Sequence, residues 1–152
     1  MITYKRAEMD DLDTLVRLRL EFIDEIKKTH IEDPAVRENL TRYFMETIPT
    51  QQFIAWLAVD NGEVVGTSGL CFYQMPPNGT TKDGRVAYIM NMYTKPEYRR
   101  QGIADGLFSR ILNEAKTLGY TKVSLNASEM GAGLYRKYGF SEPEMIELVK
   151  FF

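Results

Sequence analysis

From Val86 to Gly119 the chain reads as a strand, one short basic turn and a helix in direct succession, which limits the folds open to it more than any other stretch. Val86 to Thr94 is rich in β-formers and stops short of Pro96, which has no N–H to give a ladder. Beyond the turn Arg99-Arg100-Gln101-Gly102, the residues Ile103, Leu107, Phe108, Ile111, Leu112, Ala115 and Leu118 recur at helical spacing, and Gly119 supplies the usual left-handed cap. A helix that starts at the end of a strand turns its first, unpaired N–H groups outward, and its dipole adds to their pull on an anion. The junction therefore suits a pyrophosphate: Gly102 allows close approach to the backbone, and Arg99 and Arg100 can add charge-assisted hydrogen bonds. The same residues also fit two plainer readings, a pair of solvated arginines and a glycine kept for helix–sheet packing. Neither the Gly-Lys-Ser/Thr of a P-loop nor a Gly-x-Gly-x-x-Gly follows the strand, so the common nucleotide motifs are excluded.

Upstream, Leu12, Leu15, Val16, Phe22, Ile23 and Ile26 repeat at three- and four-residue intervals behind Asp10, Asp11 and Asp13, predicting an amphipathic first helix. Asp33-Pro34 predicts the cap and first position of a second helix, which carries Val36, Leu40, Tyr43 and Phe44 on one face and ends at Pro49. At Phe53 the period changes. Phe53 to Val59 and Val64 to Tyr73 flank Asp60-Asn61-Gly62-Glu63, the strongest short hairpin signal. Residues 75–84 read as a loop, Lys122 to Ala127 as a short strand, Glu129 to Tyr138 as a short helix ended by Gly139, and Met145 to Phe151 as a last strand. No repeat, linker or low-complexity tract interrupts this order, which predicts a single domain over residues 1–152.

At 152 residues, 44% hydrophobic and 26% charged, the chain has the size and usage of one ordinary globular domain. Its 19 basic and 21 acidic residues leave a net charge of −2 with no basic run, which sets nucleic acid aside as a partner. No apolar stretch follows Lys5-Arg6, and nowhere do roughly 18 apolar residues run together, so a soluble cytoplasmic protein with no membrane partner is expected. Cys71 is the single cysteine and His30 the single histidine, which excludes an intrachain disulfide and leaves too few ligands to cage zinc; no metal is expected. Cys71, inside Gly69-Leu70-Cys71-Phe72-Tyr73, reads as a buried packing residue rather than a nucleophile, and His30 as a surface histidine.

Arg99-Arg100-Gln101-Gly102-Ile103-Ala104 resembles the Arg/Gln-x-x-Gly-x-Gly/Ala acetyl-coenzyme A signature of the GNAT superfamily of N-acetyltransferases. A second block, Leu125-Asn126-Ala127 and then Gly133-Leu134-Tyr135-Arg136-Lys137-Tyr138-Gly139-Phe140, resembles that family's strand, short helix and Leu-Tyr-x-x-x-Gly-Phe ending. The likeness is close from about Val86 to Phe140, whereas before Phe53 only the order of elements agrees. It implies an α+β fold whose central, mostly antiparallel sheet has six or seven strands, with helices on both faces. It also implies an acetyl-coenzyme A-dependent N-acetyltransferase, with direct transfer in a ternary complex because no nucleophile for a covalent acetyl-enzyme stands out. By the same resemblance, backbone groups of Met92 and Thr94 pair with the pantetheine arm, and the turn of Arg99, Arg100, Gln101, Gly102, Ile103 and Ala104 holds the pyrophosphate. Asn126 faces the pantetheine from the neighbouring strand. Tyr135, which local sequence alone would make an amphipathic core tyrosine, becomes the general acid for the leaving thiolate. A backbone N–H near Asn91, with Met92 as donor, stabilises the tetrahedral oxyanion where the family's strands splay, often at a bulge. A homodimer is a candidate assembly on the same ground.

One departure matters: where relatives often carry Glu-Asp, this chain has Met90-Asn91, so the usual carboxylate base is missing. A water chain, Glu21, Glu25 or His30 are the candidates for taking the acceptor's proton. The same departure makes a non-catalytic acyl-coenzyme A sensor the rival reading. A small-molecule primary amine is the expected acceptor, since no charged tail offers to dock a macromolecule; a protein or peptide N-acetyltransferase is the alternative. Arg19, on the otherwise apolar face of the first helix, reads as a snorkelling side chain. Phe22, Tyr43, Tyr73, Met75, Tyr88 and Met90 are candidates either for an apolar acceptor cleft or for plain core.

Overall fold

The computed structural model describes residues 1–28 and 33–152. Along them run β1 (Ile2–Arg6), α1 (Leu12–Lys27), α2 (Pro34–Thr47), β2 (Phe53–Asp60), β3 (Glu63–Gln74), β4 (Arg85–Thr94), α3 (Ile103–Thr117), β5 (Lys122–Leu125) and α4 (Glu129–Lys137). The strands form one sheet in chain order, β1-β2-β3-β4-β5. All neighbours are antiparallel except β4 and β5, which run parallel. Parallel neighbours need a crossover connection, and α3 provides it.

Local chemistry sets most boundaries. Asp33 caps α2 by accepting from the Ala35 N–H at 2.9 Å, with Pro34 at the first position. Asn61 and Gly62 have φ of 48° and 81°, the left-handed pair of a two-residue hairpin turn that brings Asp60 opposite Glu63.

β2 is covered on both sides, and its side chains alternate between two cores. Phe53, Ala55 and Leu57 pack with Leu15 and Val16 of α1 and Phe44 of α2. Ile54 and Ala58 face the other way, toward Phe108, Ile111, Ile103 and Leu107 of α3. Each large side chain withdrawn from water in this way contributes about 1.5–3 kcal/mol. The expected α+β architecture, a largely antiparallel sheet with helices on both faces, is therefore the observed one.

Four details differ from the expectation. Among the described residues the sheet has five strands, not six or seven. The stretch Met145–Phe151 forms none of them: Met145, Ile146, Leu148 and Phe151 are all more than 80% exposed. Its apolar residues come as pairs separated by Glu147 and Lys150, a three-residue period that no strand can turn to one face. Conversely, Ile2–Arg6 is a strand, paired to β2 from Ile2↔Asp60 to Arg6↔Trp56. β5 stops at Leu125, two residues before the expected Ala127.

Gly69 marks the tightest point between β2 and β3. A Cβ built there would lie 2.5 Å from Cζ of Phe53 and 3.2 Å from the Met90 carbonyl oxygen. Phe53 is 1% exposed and has no free space to retreat into. Gly69→Ala is therefore expected to lower unfolding free energy by about 1–3 kcal/mol, read as an earlier denaturant midpoint at unchanged slope; an unshifted midpoint would mean that Phe53 yields.

Candidate active site

β4 changes partner along its length. Val86 to Ile89 pair with Lys122 to Leu125 of β5, after which β5 ends and β4 continues to Thr94 alone on that side. Against β3, Gly69 faces Met90 and Thr67 faces Tyr93, so Ser68 alone opposes both Asn91 and Met92. This is a β-bulge, which bends the strand at the point where its other edge becomes free. Asn91 takes up the bend in the left-handed region with φ of 56°, a conformation asparagine tolerates better than most side chains.

The orientation of the free edge follows from one hydrogen bond. The Lys95 N–H donates to the Val65 carbonyl at 2.9 Å, toward β3. Backbone groups alternate sides along a strand, so the N–H groups of Thr94 and Met92 point away from β3, over the gap that β5 has vacated. Those are the two residues that the family resemblance assigns to the pantetheine arm.

Two side chains of α1 brace this half of β4. Arg19 Nη1 donates to Asn91 Oδ1 at 2.7 Å, and the Phe22 ring meets the Tyr93 ring edge-on at 5.7 Å. Asn91 is 5% exposed, so its amide oxygen would otherwise be buried without a partner. Arg19 does not snorkel: its head turns inward to the bulge, and burial pushes its guanidinium below the usual arginine range.

At the far end of β4, Arg99 Nε donates to the Thr94 carbonyl at 2.9 Å and Arg99 Nη2 to Glu25 Oε2 at 2.7 Å. Its guanidinium thus ties the turn to the strand and to α1. Arg100 has φ of 65° and Gly102 φ of 79°, while Gln101, Gly102 and Ala104 are exposed. Ile103, 2% exposed, anchors the turn into the core beside Leu107. α3 starts with no side-chain cap, so its first N–H groups stay open to a ligand. Left-handed residues next to a helix start make a concave array of N–H groups that fits an anion.

Tyr135 arrives from the other wall. Ser128 caps α4 by accepting from the Gly131 N–H at 3.2 Å. A Cβ at Gly131 would come within 2.9 Å of the Tyr135 ring, so glycine there lets the ring lie back along its own helix. The ring packs 5.0 Å from that of Phe108 and is 8% exposed. Among the described residues its hydroxyl has no hydrogen-bond partner, and burial pushes it above the ordinary phenol range.

Between the two walls lies a cleft of about 200 Å³. Its floor is Met90, Asn91 and Met92, its sides are Arg19, Phe22 and Ile26 of α1 and Leu125 at the end of β5 with Asn126 and Ser128 after it, and Tyr88 and Tyr135 complete it. Three of the six aromatic and methionine candidates, Phe22, Tyr88 and Met90, line it. Tyr43 packs instead against Phe44 and Phe53, and Tyr73 and Met75 are exposed elsewhere. A wider, shallower depression on the outside of α2, lined by Glu38, Arg42 and Glu46 among others, holds none of these groups.

Of the base candidates, Glu21 and Glu25 do not line the cleft. Glu25 is bound to Arg99 and Glu21 pairs with Arg17 at 3.4 Å, while His30 lies outside the described residues. Cys71 is partly buried with its sulfur 3.7 Å from that of Met90, and burial raises its thiol. Among the described residues no cluster of His, Cys, Asp and Glu is arranged to hold a metal ion, and no helix is long and apolar enough to cross a membrane. Sequence reasoning missed the role of Arg19, although a charge on an apolar helix face was the available signal.

The bulge makes a stability prediction of its own. Both Asn91→Gly and Asn91→Val delete the bond to Arg19, but only valine must force a β-branched side chain into the left-handed region. Asn91→Val is expected to be less stable than Asn91→Gly by about 1–3 kcal/mol, measured by chemical denaturation of the pair; equal stabilities would show that the bulge relaxes.

Comparison with known proteins bears on this geometry. The model of the acetyltransferase (GNAT) family matches residues 19–140. N-acetyltransferase 8B of Rattus norvegicus is 33% identical over 90 residues, covering 57% of this chain and 39% of that protein. This chain thus spans well under half the length of the curated relatives it matches. A protein of Clostridium acetobutylicum, described as a predicted acetyltransferase and solved with acetyl-CoA, is 38% identical with a TM-score of 0.86, covering 98% of this chain and 96% of its own. A GCN5-related N-acetyltransferase from Ralstonia eutropha shares the fold at 22% identity and a TM-score of 0.86, covering 99% of each chain.

Proposed function

Since the chain belongs to the acetyltransferase (GNAT) family, we propose that it transfers the acetyl group of acetyl-coenzyme A to a primary amine of a small molecule, by direct attack in a ternary complex. The observation that carries this reading is the free edge of β4 beyond Ile89, followed, after a 3-10 turn at Pro96–Tyr98 and the turn Arg99 to Gly102, by the uncapped start of α3. An amide-bearing arm can pair with the edge as an added strand would, while a pyrophosphate meets the helix N-terminus.

In this reading Met92 and Thr94 bind the pantetheine through their main chain, with Asn126 facing them across the gap. The turn from Arg99 to Ala104 binds the pyrophosphate, chiefly through backbone N–H groups, since the Arg99 guanidinium is already engaged by Thr94 and Glu25. Arg100 and Gln101, which are exposed, add side-chain contacts. The acceptor nitrogen attacks the thioester carbonyl, and the oxyanion that forms takes a hydrogen bond from the Met92 N–H. Collapse of the tetrahedral species breaks the carbon–sulfur bond, and Tyr135 gives its proton to the departing thiolate. The proton lost by the amine leaves through water at the cleft mouth, because Glu21 and Glu25 are held in ion pairs away from it.

Binding of acetyl-coenzyme A, measured calorimetrically beside ATP and NAD, tests the reading at its root; preference for ATP or NAD would remove it. Tyr135→Phe is expected to lower kcat by about 10²-fold or more with little change in acetyl-coenzyme A affinity. Unchanged turnover would exclude the tyrosine, and no turnover by the wild type on any amine or peptide would favour a sensor instead.

The pH dependence carries a sign. An acid must be protonated to act, and burial holds Tyr135 above its ordinary value. Ionisation of Tyr135 should therefore cause no fall in kcat below about pH 10, and a descending limb near neutrality that disappears in Tyr135→Phe would contradict the raised phenol while keeping the tyrosine as the acid.

A further inference from the structure

Arg19 is the one charged residue lining the cleft, and among the described residues no carboxylate pairs with it. Two other cations at α1 are matched: Arg17 has Glu21, and Arg99 has Glu25. Arg19 has the neutral amide oxygen of Asn91 at 2.7 Å and the Phe22 ring 5.9 Å from its guanidinium carbon, neither of which carries a charge. A partly buried guanidinium without a counter-charge is unfavourable, and its planar fork offers five donors of which one is spent on Asn91. Among the described residues that line the cleft none is a carboxylate: beside the guanidinium stand Phe22, Ile26, Tyr88 and Met90, and of these the Tyr88 phenol alone interacts with it electrostatically. A bound ligand can supply the full negative charge.

We propose that Arg19 binds an anionic group of the acceptor, and that the acceptor is an amine carrying a carboxylate a few bonds from its nucleophilic nitrogen. This rests on the acetyltransferase reading and narrows its substrate. The separation follows from the position of Asn91, which joins Arg19 on one side to the Met92 backbone on the other. An anion on the guanidinium therefore sits next to the carbonyl that the nitrogen must reach. One cation matches the single charge of a carboxylate and its bidentate geometry, whereas a phosphate dianion would call for a second cation that the cleft does not contain. The same contact orients the amine, which in a cleft without a carboxylate base is a substantial share of the catalysis available.

The test uses matched acceptors, phenylalanine with 2-phenylethylamine and alanine with ethylamine, with release of the coenzyme thiol as readout in the wild-type protein, Arg19→Met and Arg19→Lys. The wild type should favour the carboxylated member of each pair by at least about 10-fold in kcat/KM, Arg19→Met should bring that ratio close to one, and Arg19→Lys should keep part of it. Equal use of both members by the wild type, or an equal loss on both in Arg19→Met, would overturn the proposal and reduce Arg19 to a support for Asn91. Calorimetric titration of N-acetylphenylalanine and N-acetylphenylethylamine into the coenzyme A complex gives a second readout independent of turnover. Tighter binding of the acid that Arg19→Met abolishes would support the proposal, and no preference for the acid would refute it while leaving the acetyltransferase reading standing. Failure to bind acetyl-coenzyme A at all would remove both.

Discussion

Ser68 faces two residues where a regular ladder would give it one, and the rest of the site is arranged around that mismatch. A β-sheet has no reason to open in the middle, because every unpaired N–H and C=O forgoes a hydrogen bond. The bulge at Asn91 and Met92 supplies the reason: it twists β4 away from the line of β5 while keeping its pairing to β3 intact on either side, at Met90 and at Tyr93. The open edge is thus a product of strand geometry, with no help needed from loop mobility.

Such a kink persists only if its surroundings over-determine it. α1 does this from one face, with Arg19 on the bulge, Phe22 on the next ring and Glu25 on the turn beyond, at three-residue intervals along a single stripe. α3 does it from the other face through Ile103 and Leu107, and Ser68 Oγ lies 3.4 Å from the Leu107 carbonyl. The tyrosine wall is tied in separately, since the Tyr138 hydroxyl donates to Asp105 at 2.8 Å and so joins α4 to the first turn of α3. The turn before α3, the strand edge and Tyr135 are consequently parts of one packed unit.

How far the sequence revealed this depended on the range of the interactions involved. The hairpin at Asn61-Gly62, the cap at Asp33 and the helix start at Gly102 are decided by a few adjacent residues, and all three were legible. The bulge was not, because nothing in Met90-Asn91-Met92 states how many residues of β3 will lie opposite. Arg19 finds its partner 72 positions away and Glu25 finds Arg99 74 positions away, so neither partner could be read from the helix that carries them, and the one passed for a snorkelling side chain and the other for a candidate base. At Met145–Phe151 composition was mistaken for pattern: the residues favour strands, yet their doublets cannot alternate. The family resemblance supplied roles for Met92, Thr94 and Tyr135 but had nothing to say about a residue as specific to this cleft as Arg19.

The groups that β4 and the start of α3 offer to a ligand are main-chain groups, and every residue except proline possesses them. Exchange of side chains along this stretch therefore leaves the donors where they were. Length is different. Removing one residue from the pair Asn91-Met92 would let Ser68 regain a single partner and straighten the strand, giving a regular ladder to β3 and shifting every later residue of β4 along it. What lineages of this fold have to hand down at this point is a count of residues, and a frame-preserving deletion of three bases would erase a site that most single-base changes could not reach.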